Sequence, residues 1–353
     1  MLNVTKTFFP ELDDYIKQLK IIWDNKWLTN RGELVNSLES NIKSYLGVNN
    51  IILMNNGTIP IQIALKLLAN NGEVITTPFS YVATSSSILW QNCKPIFVDI
   101  DPIFFTIDES KIENAITSNT TCILATHVFG NPCNIEKINT IAKKYNLKVI
   151  YDGAHCFGVK YNNKSIFEYG DISTCSFHAT KVFHTGEGGA LFTNNKDLFE
   201  KSFYSHNFGH NGPLDFFGLG INGKISELQA AMGICVLDCL DSIFKARQKT
   251  VEFYDNNLRS KNFKLREGTQ WNYSYYPYLF ESEEILINAQ NSLNNLNIYP
   301  RRYFYPSLNT ISFINGKVMP ISENISSRIM CLPLSHDFEE ESLDIICDIL
   351  NKY

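Results

Sequence analysis

Cys175-Ser176-Phe177-His178-Ala179-Thr180-Lys181-Val182-Phe183-His184-Thr185-Gly186-Glu187-Gly188-Gly189 sets a strand-like apolar run, a lysine and a glycine-rich turn in succession. It lies near the end of a longer alternation, from Ile51 to about Asn194, of short β-rich runs with helical patterns. That alternation is the signature of an α/β fold, a largely parallel sheet covered by helices. Strands are expected at Ile51–Met54, Glu73–Thr76, Pro95–Val98, Cys122–His127, Lys148–Tyr151, Thr174–Phe177 and Ala190–Thr193, seven in one major domain. A lysine between such a strand and such a turn can be desolvated, lose its proton near neutral pH and attack a carbonyl.

Upstream, Gly57-Thr58-Ile59-Pro60 reads as a helix start, with Thr58 as the cap, Pro60 in the first turn, and Ile61, Ala64, Leu65 and Leu68 at helical spacing. Its N–H groups face beyond the carboxyl end of the preceding strand, a natural phosphate position. Downstream, one long helical pattern runs from about Glu227 to Tyr254 and leads toward a smaller unit, in which Tyr275–Phe280 reads as a strand and Glu283–Leu296 and Glu340–Leu350 as amphipathic helices. The expected division is a large domain over residues 1–240 and a small α+β domain over 241–353. The acidic cluster Glu281–Glu284 reads as a solvated helix start.

Composition bounds the partners. The chain has 353 residues, 44% hydrophobic and 19% charged, with a net charge of −5, so no general electrostatic attraction to nucleic acid or anionic membrane is expected. Nine cysteines, an odd number without a Cys-x-x-Cys pair, fit a reducing compartment better than a disulfide framework. The first residues lack the order of a signal peptide and no stretch approaches a membrane span, so a cytoplasmic location is expected.

Asp152 closes the strand Lys148–Tyr151, and Lys181 follows the next strand, so both are expected at the same end of adjacent strands, where open α/β sheets place ligands. An aspartate and a lysine at one site suit pyridoxal phosphate: the lysine forms an imine and the carboxylate keeps the pyridine nitrogen protonated. Taken alone, Asp152 reads as a helix cap, and joined to Lys181 it reads as the partner of the pyridine nitrogen. Ser176 and His178 read alternatively as strand residues, and Tyr81 as ordinary core. Asp152 with His155 also admits a metal hydrolase, although no third ligand stands at a recognisable spacing, and none is expected. Gly186-Glu187-Gly188-Gly189 lacks the lysine and spacing of a Walker motif and reads as the tight turn behind Lys181.

Six separated motifs, WLTNRGEL (27–34), NNGTIPIQIAL (55–65), TTPFSYVAT (76–84), YDGAHCFG (151–158), SFHATKVFHTGEGG (176–189) and GINGKISELQAA (220–231), resemble those of the DegT/DnrJ/EryC1/StrS sugar aminotransferases, of the aspartate-aminotransferase (type I) fold. NYSYYPY (272–278), YPRRYFYP (299–306) and CLPL (331–334) look most like the VioA-like branch, which aminates dTDP-4-dehydro-6-deoxyglucose at C4′. C3′-aminating relatives usually differ where this chain reads Trp27-Leu28-Thr29-Asn30-Arg31-Gly32.

The resemblance implies a type I pyridoxal-phosphate transferase with a seven-stranded, mixed but mostly parallel sheet. It implies Lys181 as the aldimine-forming lysine and proton shuttle, with pyridoxamine phosphate as the intermediate. By the same resemblance Asp152 pairs with the pyridinium nitrogen, Tyr81 stacks on the ring, and His155 lies near the 3-oxygen, one turn on if the chain has entered a helix. Gly57, Thr58 and Ser176 hold the phosphate, joined by Asn222 of a neighbouring copy in a homodimer with shared sites. L-Glutamate is the implied donor, a dTDP-linked keto sugar the acceptor, and a deoxyamino sugar for surface glycans such as O-antigen and lipopolysaccharide the product. Candidate substrate contacts are Asn30, His184, Lys224, Arg301, Arg302 and Tyr303; guanidinium groups suit a diphosphate and aromatic rings a thymine base. For Arg301 and Arg302 a surface pair on a half-buried strand is the competing reading. The position aminated, C3′ or C4′, and the nucleotide, dTDP or UDP, stay open at this point, as does a non-catalytic ligand-binding role.

Overall fold

A computed structural model describes residues 1–259, 263–314 and 316–353. Its main sheet has seven strands: β1 (Ile51–Met54), β2 (Glu73–Thr76), β3 (Lys94–Phe97), β4 (Thr120–Thr126), β5 (Lys148–Asp152), β6 (Ile172–Ser176) and β7 (Gly189–Phe192). Their spatial order is β1-β7-β6-β5-β4-β2-β3. β2 through β6 pair in parallel, whereas β7 runs antiparallel to both β1 and β6. The mixed, mostly parallel sheet is thus present, and each predicted strand falls within two residues of its observed bounds.

The strand centres are largely apolar because both faces are covered. Ile51 and Leu53 join an apolar core on one face with Ile75, Ile123 and Val149, while Ile52 and Met54 join Val74, Leu124 and Ile150 on the other. The helix Thr58–Leu68 covers the second face with Ile61, Ala64, Leu65 and Leu68. The helix Glu33–Leu46 covers the first with Val35, Leu38 and Ile42.

Three local expectations are corrected. The single pattern from Glu227 to Tyr254 is two helices, Glu227–Asp238 and Leu240–Asn257, meeting at Cys239. Thr58 is the first helical residue rather than the cap, and it is the Asn56 carboxamide oxygen that accepts the Thr58 and Ile59 N–H groups. His155 lies in a series of turns after Asp152, not in a helix.

The helix Leu240–Asn257 supplies two cores. Leu240 and Ile243 pack with the large sheet, and Val251 and Tyr254 pack with the antiparallel pair Tyr276–Leu279 and Ile329–Leu332 and the helices Glu283–Asn294 and Glu340–Leu350. Ser282 caps the first of these helices, and Glu283 and Glu284 lie in its opening turn, as the acidic cluster predicted. Among the described residues no helix is long and apolar enough to cross a membrane.

Candidate active site

β1, β2, β5 and β6 all deliver their carboxyl ends to one cavity of about 240 Å³. Of the residues picked from sequence, Gly57, Thr58, Tyr81, Asp152, His155, Ser176, Lys181, Arg301 and Tyr303 line it. Asp152 is the last residue of β5 and stands opposite Thr174 of β6, so the strand register itself brings it beside the Lys181 loop.

That loop is a closed hairpin. Phe177 N–H donates to Gly188 C=O at 2.8 Å, Thr185 N–H to Phe177 C=O at 3.0 Å and Ala179 N–H to Gly186 C=O at 2.7 Å. Gly186 takes φ +80, a left-handed conformation that glycine adopts without a Cβ penalty, and so makes the tight turn behind the lysine. Lys181 is half-buried in the cavity wall, and its amine is largely removed from water. Desolvation therefore lowers its pKa, against the opposing pull of Tyr303, Asp152, Cys175 and Tyr81.

The carboxylate of Asp152 is buried and held from two sides. Ala154 N–H donates to Oδ1 at 3.0 Å, and the Thr84 hydroxyl donates to Oδ2 at 2.9 Å. Because the one Thr84 proton is spent on Asp152, the contacts to Ser80 at 2.8 Å and from Ser80 to Thr126 at 3.1 Å must run as a directed chain, Thr126 to Ser80 to Thr84 to Asp152. Burial raises the Asp152 pKa, and the two donors and the Lys181 charge oppose it.

His155 is buried and its pKa is driven well below the ordinary value by desolvation, with the Lys181 charge adding to the effect. Its Nδ1 accepts the Phe129 N–H at 3.2 Å, so the proton of the neutral ring sits on Nε2 as a hydrogen-bond donor. Phe304 and Phe129 lie nearly parallel to the ring at 5.8 and 6.2 Å. Tyr81 is not core: it is 54% exposed and precedes the helix Val82–Trp90 at the cavity rim. His178 is likewise exposed, bonded at Nδ1 to Thr180 and lying 3.5 Å from Glu187.

At Gly57 two elements of the cavity wall come into close contact. A Cβ there would lie 2.7 Å from the Ser176 Cβ and 2.9 Å from its hydroxyl, so only glycine lets the helix start and β6 approach this closely.

Five predicted contacts lie apart from the cavity. His184 is buried, with Nε2 bonded to Phe8 C=O at 2.8 Å and Nδ1 accepting Gly186 N–H at 3.2 Å, so it braces the hairpin from behind. Arg302 is held by Glu283 at 2.5 Å and by Ser327 C=O at 2.7 Å. Lys224 donates to Asn222 Oδ1 at 2.9 Å on an exposed loop, and Asn30 is exposed in a left-handed turn at φ +62. Arg301, by contrast, lies over the Tyr303 ring at 4.6 Å and faces the cavity.

Sequence reasoning missed Thr84, Asn56 and Tyr275. All three stand inside motifs singled out above; for the first two, polar side chains beside a turn and a helix start were the available signal, whereas Tyr275 is one of several tyrosines in its run.

The chain is 41% identical over 359 residues to the dTDP-4-amino-4,6-dideoxy-D-glucose transaminase of Shigella dysenteriae, covering 99% of this chain and 98% of that one. It is 36% identical to the protein of the same name from Escherichia coli, again over 99% and 98% of the two chains. Among solved structures it is similar to DesI, determined in the presence of its TDP-sugar product, with a TM-score of 0.92, 25% identity, and 99% and 92% of the two chains covered. The sequence model of the DegT/DnrJ/EryC1/StrS aminotransferase family matches residues 11–351, and with these relatives spanning nearly its whole length the chain belongs to that family.

Proposed function

We propose that the protein transfers an amino group from L-glutamate to C4′ of dTDP-4-dehydro-6-deoxy-D-glucose, with pyridoxal 5′-phosphate bound in the cavity, to make a deoxyamino sugar for surface glycans. The observation that carries this reading is the convergence of a desolvated lysine, a doubly bonded buried aspartate and a neutral histidine on one cavity at the strand ends. The names of the two curated relatives supply the sugar.

The residues fit the cofactor. The helix start at Gly57 and Thr58 and the Ser176 hydroxyl would hold its phosphate, Asp152 its pyridine nitrogen, His155 Nε2–H its ring oxygen, and Tyr81 one ring face. Bound there, pyridoxal phosphate would supply an electron sink for loss of a proton from the carbon that bears nitrogen. Lys181 Nζ, its pKa lowered by desolvation, takes that proton and returns it on the same face. The two donors and the Lys181 charge favour the Asp152 carboxylate against burial, which raises its pKa. Arg301 is the cavity cation available to a substrate anion, the sugar diphosphate, beside the aromatic Tyr303.

A homodimer completes this reading. Asn222 lies outside its own chain's cavity, on a loop that exposes Leu214, Phe216, Phe217, Leu219 and Ile221, an apolar run suited to burial against a second copy, whose phosphate site Asn222 would then reach. We read residues 1–240 and 241–353 as the two domains, and the nine free cysteines support a reducing, cytoplasmic setting.

Borohydride reduction of the purified protein should fix the cofactor to the tryptic peptide containing Lys181. With glutamate and dTDP-4-keto-6-deoxyglucose, NMR should then locate the new amine at C4′. A colourless protein that binds neither form of the cofactor overturns the whole reading, whereas an amine at C3′ from the 3-keto isomer alone overturns the assigned position.

A further inference from the structure

The segment Trp271–Tyr275 is fastened to the site loops by bonds that no surface strand needs. Asn272 Nδ2 donates to His155 C=O at 2.8 Å and to Phe157 C=O at 2.9 Å, and Ser274 Oγ and Trp271 Nε1 donate to Phe129 C=O at 2.9 and 2.8 Å. From the other side the buried Arg247 donates to the carbonyls of Tyr273 at 2.8 Å, Ser274 at 2.6 Å and Leu334 at 2.9 Å. The residue presented by this clamp is Tyr275, which is 2% exposed. Its ring packs on His155 at 4.6 Å and edge-on to Tyr303 at 5.2 Å, and its hydroxyl lies 3.4 Å from Lys181 Nζ.

We propose that Tyr275 is a positioning residue for the reaction, its hydroxyl being the fixed hydrogen-bond partner that orients the Lys181 amine from the side opposite the hairpin. This rests on Lys181 being the reacting amine, as proposed above. Geometry decides the sign of the effect. The Lys181 amine donates to the hydroxyl, and a bond donated by a charged group stabilises the charged form. The tyrosine supplies no counter-charge of its own, because burial pushes its pKa up to about 12. The other ionisable groups around the amine are Asp152 and Cys175 on the strands, Tyr81 at the helix start, Tyr303 on the C-terminal segment and His155 on the turn, with His178, Glu187 and Arg301 elsewhere on the cavity wall. Of these, Tyr303 also shares a side-chain hydrogen bond with Tyr275, so it is varied alongside.

The test is Tyr275→Phe, with Tyr303→Phe alongside. In cofactor-free full-length protein, reductive methylation of Lys181 followed by peptide mass spectrometry across pH reads the amine's titration directly. Tyr275→Phe should move that curve to lower pH. In the loaded enzyme it should lower kcat about tenfold, the worth of one lost hydrogen bond, with KM for glutamate unchanged within about twofold. Tyr303→Phe, which removes the hydroxyl with the largest opposing pull on Lys181 but leaves the Tyr275 bond in place, should move the labelling curve in the same direction. A Tyr275→Phe labelling curve that coincides with wild type overturns the proposal whatever happens to kcat. If Tyr275→Phe does not fold, Tyr275→Met, which also lacks the hydroxyl, takes its place, and a curve that coincides with wild type overturns the proposal. Failure of borohydride to trap Lys181 in the wild type would strike the functional reading, and the labelling curve distinguishes the two.

Discussion

Thr84→Val tests the electrostatics of the site with one atom. The substitution trades a hydroxyl for a methyl of nearly the same shape and removes the donor to Asp152 Oδ2, leaving Ala154 N–H on Oδ1. A hydrogen bond to a charged group contributes about 1.5–3 kcal/mol. Taking about 2 kcal/mol, the ionisation of Asp152 becomes about thirtyfold less favourable. The sign follows from burial, which already raises this carboxyl's pKa: with valine at position 84 the carboxyl holds its proton to higher pH than in wild type. A pyridinium partner needs the carboxylate, so affinity for pyridoxal phosphate should fall by up to about thirtyfold in the acidic range and recover toward wild type at higher pH, once Asp152 has ionised in the substituted protein as well. Titrating dialysed protein with the cofactor from pH 5.5 to 9, followed by absorbance, measures both limits. A loss of equal size at every pH, or none in the acidic range, would refute the role given to the Thr84 hydroxyl.

Arg247→Met should lower stability by about 3 kcal/mol in urea unfolding, since three buried carbonyls lose their donor at about 1–3 kcal/mol each, offset in part by relief from burying a guanidinium. An unchanged midpoint would count against the clamp. Gly57→Ala forces a Cβ to 2.7 Å from Ser176 and should cost about 1–3 kcal/mol together with most of the cofactor affinity. Combining it with Ser176→Gly should return part of the stability but not the affinity, and recovery of both would remove Ser176 from the phosphate site.

The strands were legible because a sheet covered on both faces needs short runs rich in apolar and β-branched residues, and Ile51–Met54 and Glu73–Thr76 have the bounds read from sequence. The ends of β3 and β6 shifted by one or two residues where backbone pairing, rather than apolar content, sets the limit. The break at Cys239 left no trace, since Ile234-Cys235-Val236-Leu237-Asp238-Cys239-Leu240 contains neither glycine nor proline. Asn56 and Thr58 are both good caps, and only the geometry of the turn chose between them. Partners distant in sequence were illegible by nature: Thr84 meets Asp152 across 68 positions, and His184 meets Phe8 across 176.

The arginine pair shows why residue type alone misassigned a contact. Arg301 and Arg302 have the same chemistry, and both were candidates for an anionic substrate. The antiparallel bridge between Arg301 and Cys331 fixes the backbone, and successive side chains of an extended chain leave on opposite sides. One guanidinium therefore turns to Glu283 and the Ser327 carbonyl, while the other is delivered to Tyr303 and the cavity. The paired arginine supports the unpaired one, because its two bonds hold the segment that aims Arg301. The same segment carries Phe304, which packs with Phe79, Phe129 and Tyr275 in a core between the sheet's strand ends and the C-terminal elements. Any substitution that loosens this core should therefore disturb Arg301, Tyr275 and His155 together, and distort the site before it unfolds the large sheet, whose own cores are separate.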